Sequence, residues 1–250
     1  MGKDWAKGLT AKTDPRVARM AESRRGKLRG PYRLRRTTPW EWTAQIAYAV
    51  GLLATDGNLS PSGRHLSVTS AERDVLETFL RCVGRRAKIS PIKGGYGTGG
   101  LRVQIGDVGL YRWLQSIGLT PRKSFTLGAI AVPTQFLAHL LRGLVDGDGS
   151  ILDVTYDGTG KARGRRYRTL LVRFNSASRD HVDWVRNRIK DEYGLVGGLW
   201  CEDGLFQLTY GTRASRKLLP LLYPESTVPC IDRKRSVWLQ FEREGGAVNR

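Results

Sequence analysis

Two short segments, each running from a glycine to an aspartate, constrain this 250-residue chain more than any other feature. Gly51-Leu52-Leu53-Ala54-Thr55-Asp56-Gly57 is matched by Gly143-Leu144-Val145-Asp146-Gly147-Asp148-Gly149 at an offset of 92. Ser70-Ala71-Glu72-Arg73-Asp74 then matches Ser176-Ala177-Ser178-Arg179-Asp180 at 106, and Leu101 to Gly106 matches Phe206 to Gly211 at 105. Arg122-Lys123 matches Arg233-Lys234 at 111. Matches in one order with slowly drifting offsets mark a duplicated unit of about 100 residues. The 14-residue growth between the first two offsets falls in Asp153 to Tyr167, a Gly- and Arg-rich hairpin extension.

Each copy reads as helix, hairpin, helix, hairpin, helix. Thr38-Pro39-Trp40-Glu41 has the form of a capping box with proline at the first helical position, so a helix is expected from there. Trp42, Ile46, Ala49, Val50 and Leu53 recur at helical spacing, and Asp56-Gly57 is the stop. A second such helix is expected from about Thr134, with Phe136, Leu137, Leu140, Leu141 and Leu144 on one side. Leu66 and Val68 alternate with His65, Ser67 and Thr69, and Leu101, Val103 and Ile105 alternate with Arg102 and Gln104, the period of half-buried strands. Val75, Leu76, Phe79, Leu80 and Val83 give the intervening helix one apolar side, and Leu110, Trp113, Leu114 and Ile117 close the unit. The fold class is α+β in two pseudo-symmetric halves, residues 38–131 and 132–250.

Composition narrows the partner. Lys plus Arg is 42 against 23 acidic residues, a formal charge of +19 with a pI near 10.4, above the value of about 9 at which a basic domain suggests nucleic acid. Arginine outnumbers lysine 31 to 11; a GC-rich coding sequence accounts for that ratio as readily as phosphate binding does, but not for the net charge. An apolar fraction of 40% with seven Trp supplies a core. The sequence has no apolar run of about 18 residues, no secretory h-region and no cationic amphipathic helix with a broad apolar face, so no membrane partner is expected. Cys82, Cys201 and Cys230 are too dispersed for a zinc ribbon or a disulfide framework. The expectation is a soluble, cytoplasmic, strongly basic protein. His65, His139 and His181 are too scattered for a histidine-based site, Gly94 to Gly100 reads as a hairpin loop, and no P-loop occurs. A calcium loop on Asp146, Asp148 and Ser150 fails because Ile151 stands where glycine is required.

Residues 1–37 carry twelve basic side chains against Asp4, Asp14 and Glu22 and form a basic N-terminal DNA-binding extension. Two readings stay open there. One is a plain basic tail. The other rests on Trp5-Ala6-Lys7-Gly8-Leu9-Thr10 followed by Thr13-Asp14-Pro15-Arg16-Val17, which resembles a modular DNA-binding motif appended to homing nucleases; Thr13 or Asp14 would cap a short helix opening at Pro15.

Ala49 to Gly57 and Leu141 to Gly149 resemble the two signature motifs of a monomeric LAGLIDADG homing endonuclease, and the resemblance spans roughly residues 38–240. It implies two αββαββα halves packed through the motif helices, with the β-sheets forming a DNA-binding saddle. Gly51 and Gly143 would let the helix backbones approach closely. Asp56 and Asp148 would then meet at two negative helix ends, where carboxylates repel unless a cation lies between them. Mg²⁺ suits such hard oxygen ligands; the resemblance implies two or three ions, Mn²⁺ as a substitute, and Ca²⁺ bound without cleavage. The carbonyls of Thr55 and Gly147 would complete the metal site. Lys123 and Lys234 resemble the family's basic residues near the scissile phosphate, with Arg122 and Arg233 as substitutes, and Ser70 and Ser176 align with its water-supporting position. Asp146 has Ala54 as its counterpart and reads as structural.

With the alternating apolar residues inward, His65, Ser67, Thr69, Arg102 and Gln104 face outward in the first half, and Thr169, Arg173, Asn175, Gln207 and Thr209 in the second. The family assigns that face to base reading in the major groove. Arg163, Arg165, Arg166 and Arg168 in the extension are expected on phosphates. The resemblance implies a monomer that cuts both strands of a long asymmetric DNA site during intron homing. A rival is a LAGLIDADG-type maturase, with intron RNA as partner, or a DNA-binding protein that does not cut. The Met1 start, the Asn249-Arg250 end and the missing splicing cysteines argue against an intein, and the composition suggests a bacterial or phage source.

Overall fold

The computed structural model describes residues 8–24, 39–92, 99–160, 163–224 and 228–244. Trp5 to Lys7, Thr38 and most of the expected loop from Gly94 lie outside them. The chain separates into Met1–Pro39 and Trp40–Arg250. In the first unit helix α1 spans Pro15–Arg24, with proline as its first residue. Asp14 caps it, Oδ1 accepting from Arg16 N at 2.7 Å, and the Arg16 side chain holds the Asp14 carboxyl at about 2.

The second unit opens with α2 (Ala44–Asp56), β1 (Gly57–Leu59), β2 (Leu66–Ser70), α3 (Arg73–Cys82), β3 (Ile89–Ile92), β4 (Gly100–Ile105) and α4 (Val108–Ser116). It continues with α5 (Leu137–Asp146), β5 (Ser150–Asp157), β6 (Arg166–Ser176), α6 (Arg179–Tyr193), β7 (Gly198–Glu202), β8 (Leu205–Tyr210), α7 (Thr212–Leu222) and α8 (Asp232–Arg243). Helix α2 does not begin at the Thr38 capping box. Thr43 caps it, its Oγ1 accepting from Ile46 N at 3.1 Å. Trp40 lies buried, with the Arg85 guanidinium 5.2 Å over its ring, and docking that indole keeps residues 39–43 out of the helix.

Two antiparallel sheets share one strand order, β1-β2-β4-β3 and β5-β6-β8-β7. The extra residues of the second copy lengthen the β5-β6 hairpin, which pairs from Ser150↔Arg173 to Asp157↔Arg166. One face of each sheet packs on helices: Leu66, Val68, Val103 and Ile105 are buried in the first, and Leu170, Val172, Phe174, Leu208 and Tyr210 in the second. Every residue of α2 from Ile46 to Ala54 is buried, which fits a helix apolar on all sides and covered on all sides. Among the described residues no helix is long and apolar enough to cross a membrane.

Candidate active site

Helices α2 and α5 cross at two glycines. A Cβ built on Gly51 would lie 2.7 Å from Gly143 Cα, and one on Gly143 would lie 2.9 Å from Gly51 Cα, so only hydrogen permits this approach. The crossing carries the helix ends together. A Cβ on Gly147 would lie 2.9 Å from Asp56 Oδ2 and closer still to Thr55 Oγ1, so the turn that bears Asp148 runs against the end of α2. Thr55 Oγ1 also lies 3.3 Å from Asp56 Oδ2 as a donor. Burial, and then the charge of Asp148, push the Asp56 carboxyl up to about 6. Burial raises Asp148 as well, against the pull of Lys123 and Lys234. Two carboxylates that would both rather hold a proton form a site short of positive charge.

The lysines reach the backbone carbonyls beside this site. Lys123 opens the 3₁₀ turn Lys123–Phe125 after α4, is buried, and donates through Nζ to Thr55 O at 3.2 Å. Burial lowers its ammonium to about 8. Lys234 sits in the first turn of α8, a helix beyond the expected αββαββα pattern of its half. Its Nζ lies within 2.7–2.9 Å of four carbonyls, those of Val145, Asp146, Gly147 and Gly149. An ammonium has three protons, so Lys234 is fully engaged. It caps the carbonyls that the end of α5 leaves unpaired, and so does not project toward a substrate as its sequence position suggests. Arg233 is also engaged, donating to Glu72 Oε1 at 2.8 Å and tying α8 to the start of α3. Arg122 holds a left-handed conformation, φ 57°, ahead of Lys123.

Asp146 is buried, and its carboxylate accepts from Tyr48 OH at 2.9 Å, Tyr223 OH at 2.7 Å and Ile231 N at 2.9 Å. Burial raises it to about 6 against these donors. Its side chain and its carbonyl thus grip the same 231–234 turn. Ser70 and Ser176 hold equivalent places, each Oγ accepting from the backbone N–H two residues on, Glu72 and Ser178, ahead of α3 and α6.

No protein-family model and no curated protein sequence matches the chain. Solved structures do. The homing endonuclease I-WcaI bound to its DNA recognition sequence is similar over 84% of this chain and 97% of its own, with TM-score 0.54 and 12% identity. Meganuclease I-SmaMI bound to uncleavable DNA is similar over 83% and 93%, with TM-score 0.54 and 11% identity. The N-terminal LAGLIDADG domain of DUF199/WhiA has TM-score 0.49 over 79% and 90%, at 13% identity. This is the LAGLIDADG fold.

In that fold the sheet face away from the helices is the outer one, and the register shows what stands on it. Ser67 lies across from Gln104, and Thr69 from Arg102. Arg173 lies across from Thr209, Asn175 from Gln207, and Thr169 from Val154 on the hairpin. His65 precedes β2 with the same parity. Asn175 Nδ2 donates to Asp148 O at 2.8 Å, so this face reaches the turn that bears Asp148, and Asn175 Oδ1 and Arg173 Nε are buried without a partner among the described residues. Arg163 and Arg165 are exposed at the hairpin tip, and Arg166 lies 3.6 Å from Asp157. Arg168 does not join them. It shares the parity of Leu170 and Val172, forks onto Asp153, donates to Glu244 Oε2 at 2.7 Å and stacks 4.9 Å from the Phe241 ring. Its charge is already matched, so the expected phosphate contact is not set up. Strand parity counted back from Val172 would have revealed this.

Two outer-face features of the LAGLIDADG sheets escape the sequence reading. Trp200 on β7 pairs with Gln207, and Tyr156 stacks on Tyr167 at 5.5 Å. The alternation of Leu199 with Trp200 is the signal that could have found the first.

Proposed function

We propose that this chain is a site-specific endonuclease that hydrolyses phosphodiesters in both strands of a long asymmetric DNA duplex, with Mg²⁺ held between Asp56 and Asp148. The observation that carries the reading is the convergence of two desolvated carboxylates, one from each half, at the crossing of two glycine-notched helices. The donor set fits the ion. Mg²⁺ keeps several waters and takes one or two carboxylates plus substrate phosphates. The carbonyls of Thr55 and Gly147 keep a second lone pair beside the lysine each one serves. When bound, the metal supplies charge to the phosphate and lowers the pKa of a coordinated water.

The chain's own residues do the rest. Asp56 and Asp148 fix the reacting centre on the seam, so each strand meets the same dyad from one half. Lys123, with one carbonyl partner among the described residues, keeps two N–H donors for a phosphate oxygen or an ordered water. Lys234 and Asp146 hold the turn that carries Asp148. Ser67, Thr69, Arg102, Gln104, Arg173, Gln207 and Thr209 face the major groove, and Arg163 and Arg165 meet phosphates. Residues 1–37, through basic side chains such as the exposed Arg19 of α1, add phosphate contacts. Two unlike halves in one chain make a monomer sufficient for an asymmetric site.

The test is cleavage of a randomised duplex library with Mg²⁺ by the wild type and by Asp148→Asn, sequencing the cut ends. A discrete site, cut by the wild type and bound but uncut by the variant, supports the proposal. Selective binding with no cutting by the wild type refutes it in favour of a DNA-binding or intron-RNA-binding protein.

A further inference from the structure

The two sheets present different chemistry at equivalent places. In the first, the register sets Thr69, Arg102 and Ser90 in one outer row across β2, β4 and β3. In the second, the same row across β6, β8 and β7 is Asn175, Gln207 and Trp200. Thr69 and Asn175 are related by the repeat offset of 106, and Arg102 and Gln207 by 105. Trp200 is 72% exposed although its neighbour Leu199 packs on the core. Asn175 Nδ2 already donates to Asp148 O at 2.8 Å and its Oδ1 is buried, which among the described residues leaves Gln207 and the indole as the unengaged reading groups of that row.

Each set matches a different base pair. A guanidinium grips guanine O6 and N7, a side-chain amide grips adenine N6 and N7, and an apolar surface matches the thymine C5-methyl. Resting on the reading of this chain as a sequence-specific DNA protein, we infer that this row distinguishes the two half-sites, with Arg102 selecting G·C and Gln207 with Trp200 selecting A·T, the indole lying against the thymine methyl. Two residues along the strands the chemistry is exchanged: the first half presents Gln104, and the second presents Arg173 where the first has Ser67. The preferences at that step reverse accordingly.

The full-length protein is incubated with a randomised duplex library in EDTA, and the bound fraction is sequenced. The expected consensus carries G·C in one half and A·T at the symmetrically placed step of the other. Replacing that thymine by deoxyuridine removes only the methyl, and weakens wild-type binding about fourfold. Trp200→Ser, which installs the first half's residue at an exposed position, binds the two duplexes equally. Arg102→Gln turns the G·C preference of its half toward A·T. A neutral deoxyuridine swap in the wild type, or methyl discrimination that persists in Trp200→Ser, overturns the inference. A selected site that is never cut with Mg²⁺ removes the nuclease reading and leaves this one standing, whereas a library with no selected sequence removes both.

Discussion

Replacing Gly51 by alanine tests whether backbone contact holds the Asp56 and Asp148 carboxylates together. The added Cβ would lie 2.7 Å from Gly143 Cα and 2.8 Å from Gly143 C, where 3.4–4 Å is ordinary contact. The Leu140 carbonyl oxygen would lie closer still, so helix α5 must retreat by about 1 Å, and it must move as a body because the obstructing atoms are backbone. A gap of about 0.5–1 Å forfeits a quarter to a half of each dispersion contact it opens. Overpacking costs about 1–3 kcal/mol where side chains can yield, so this site belongs at or above the top of that range, about 3–4 kcal/mol. Alanine returns about 1 kcal/mol through helix propensity. The net loss is about 2–3 kcal/mol, which for a body of this size lowers Tm by about 5–10 °C. Gly109 in α4 is the control: its Cβ would meet only side-chain atoms, the nearest at 3.3 Å, so Gly109→Ala should be neutral or slightly stabilising. Thermal unfolding followed by circular dichroism reads both variants. If Gly51→Ala is as stable as Gly109→Ala, the close crossing is not what joins the halves.

The two lysines should separate by assay. Lys234→Met strips four carbonyls of their donor and should lose about 3 kcal/mol of stability in chemical denaturation, whereas Lys123→Met, which loses one hydrogen bond, should lose about 1 kcal/mol and show its main defect in cleavage. Asp56 has a folded-state value of about 6 against an ordinary 3.8, so the folded protein holds that proton more tightly and stability falls as pH rises from about 4 to about 6. In EDTA at pH 8 Asp56→Asn should therefore be more stable than the wild type by up to about 3 kcal/mol, with no difference below pH 4, and Mg²⁺ should raise the Tm of the wild type alone; equal Tm at every pH would refute the account. Arg165→Ala should leave Tm unchanged and flatten the dependence of log K on log salt by about 0.9 for each phosphate it no longer neutralises, while Arg168→Ala should lower Tm and leave that slope alone, because its partners are Asp153, Glu244 and Phe241.

What the sequence disclosed and what it hid divide along a physical line. Periodicity and the repeat made the helices and the hairpins legible, because burying one apolar face per element leaves few other arrangements, whereas the meeting of Asp56 with Asp148 was implied by the resemblance of the two motifs to a LAGLIDADG pair. The start of α2 was misplaced because a capping pattern is local, whereas the burial of Trp40 under Arg85 is tertiary and prevails over it. The lysines were hidden for a deeper reason. Lys123 and Lys234 stand in the same Arg-Lys context, yet among the described residues one has a single carbonyl partner and the other has four, and the difference comes from Asp146. In the second half that carboxylate accepts from Ile231 N and draws the 231–234 turn against the end of α5, so the ammonium falls among four carbonyls. The first half has Ala54 there, which carries no carboxylate to make such a grip. A duplicated gene that begins with equivalent sites can thus make them unequal through one buried acid, committing the lysine on one side to four carbonyls and leaving that on the other with a single carbonyl partner among the described residues.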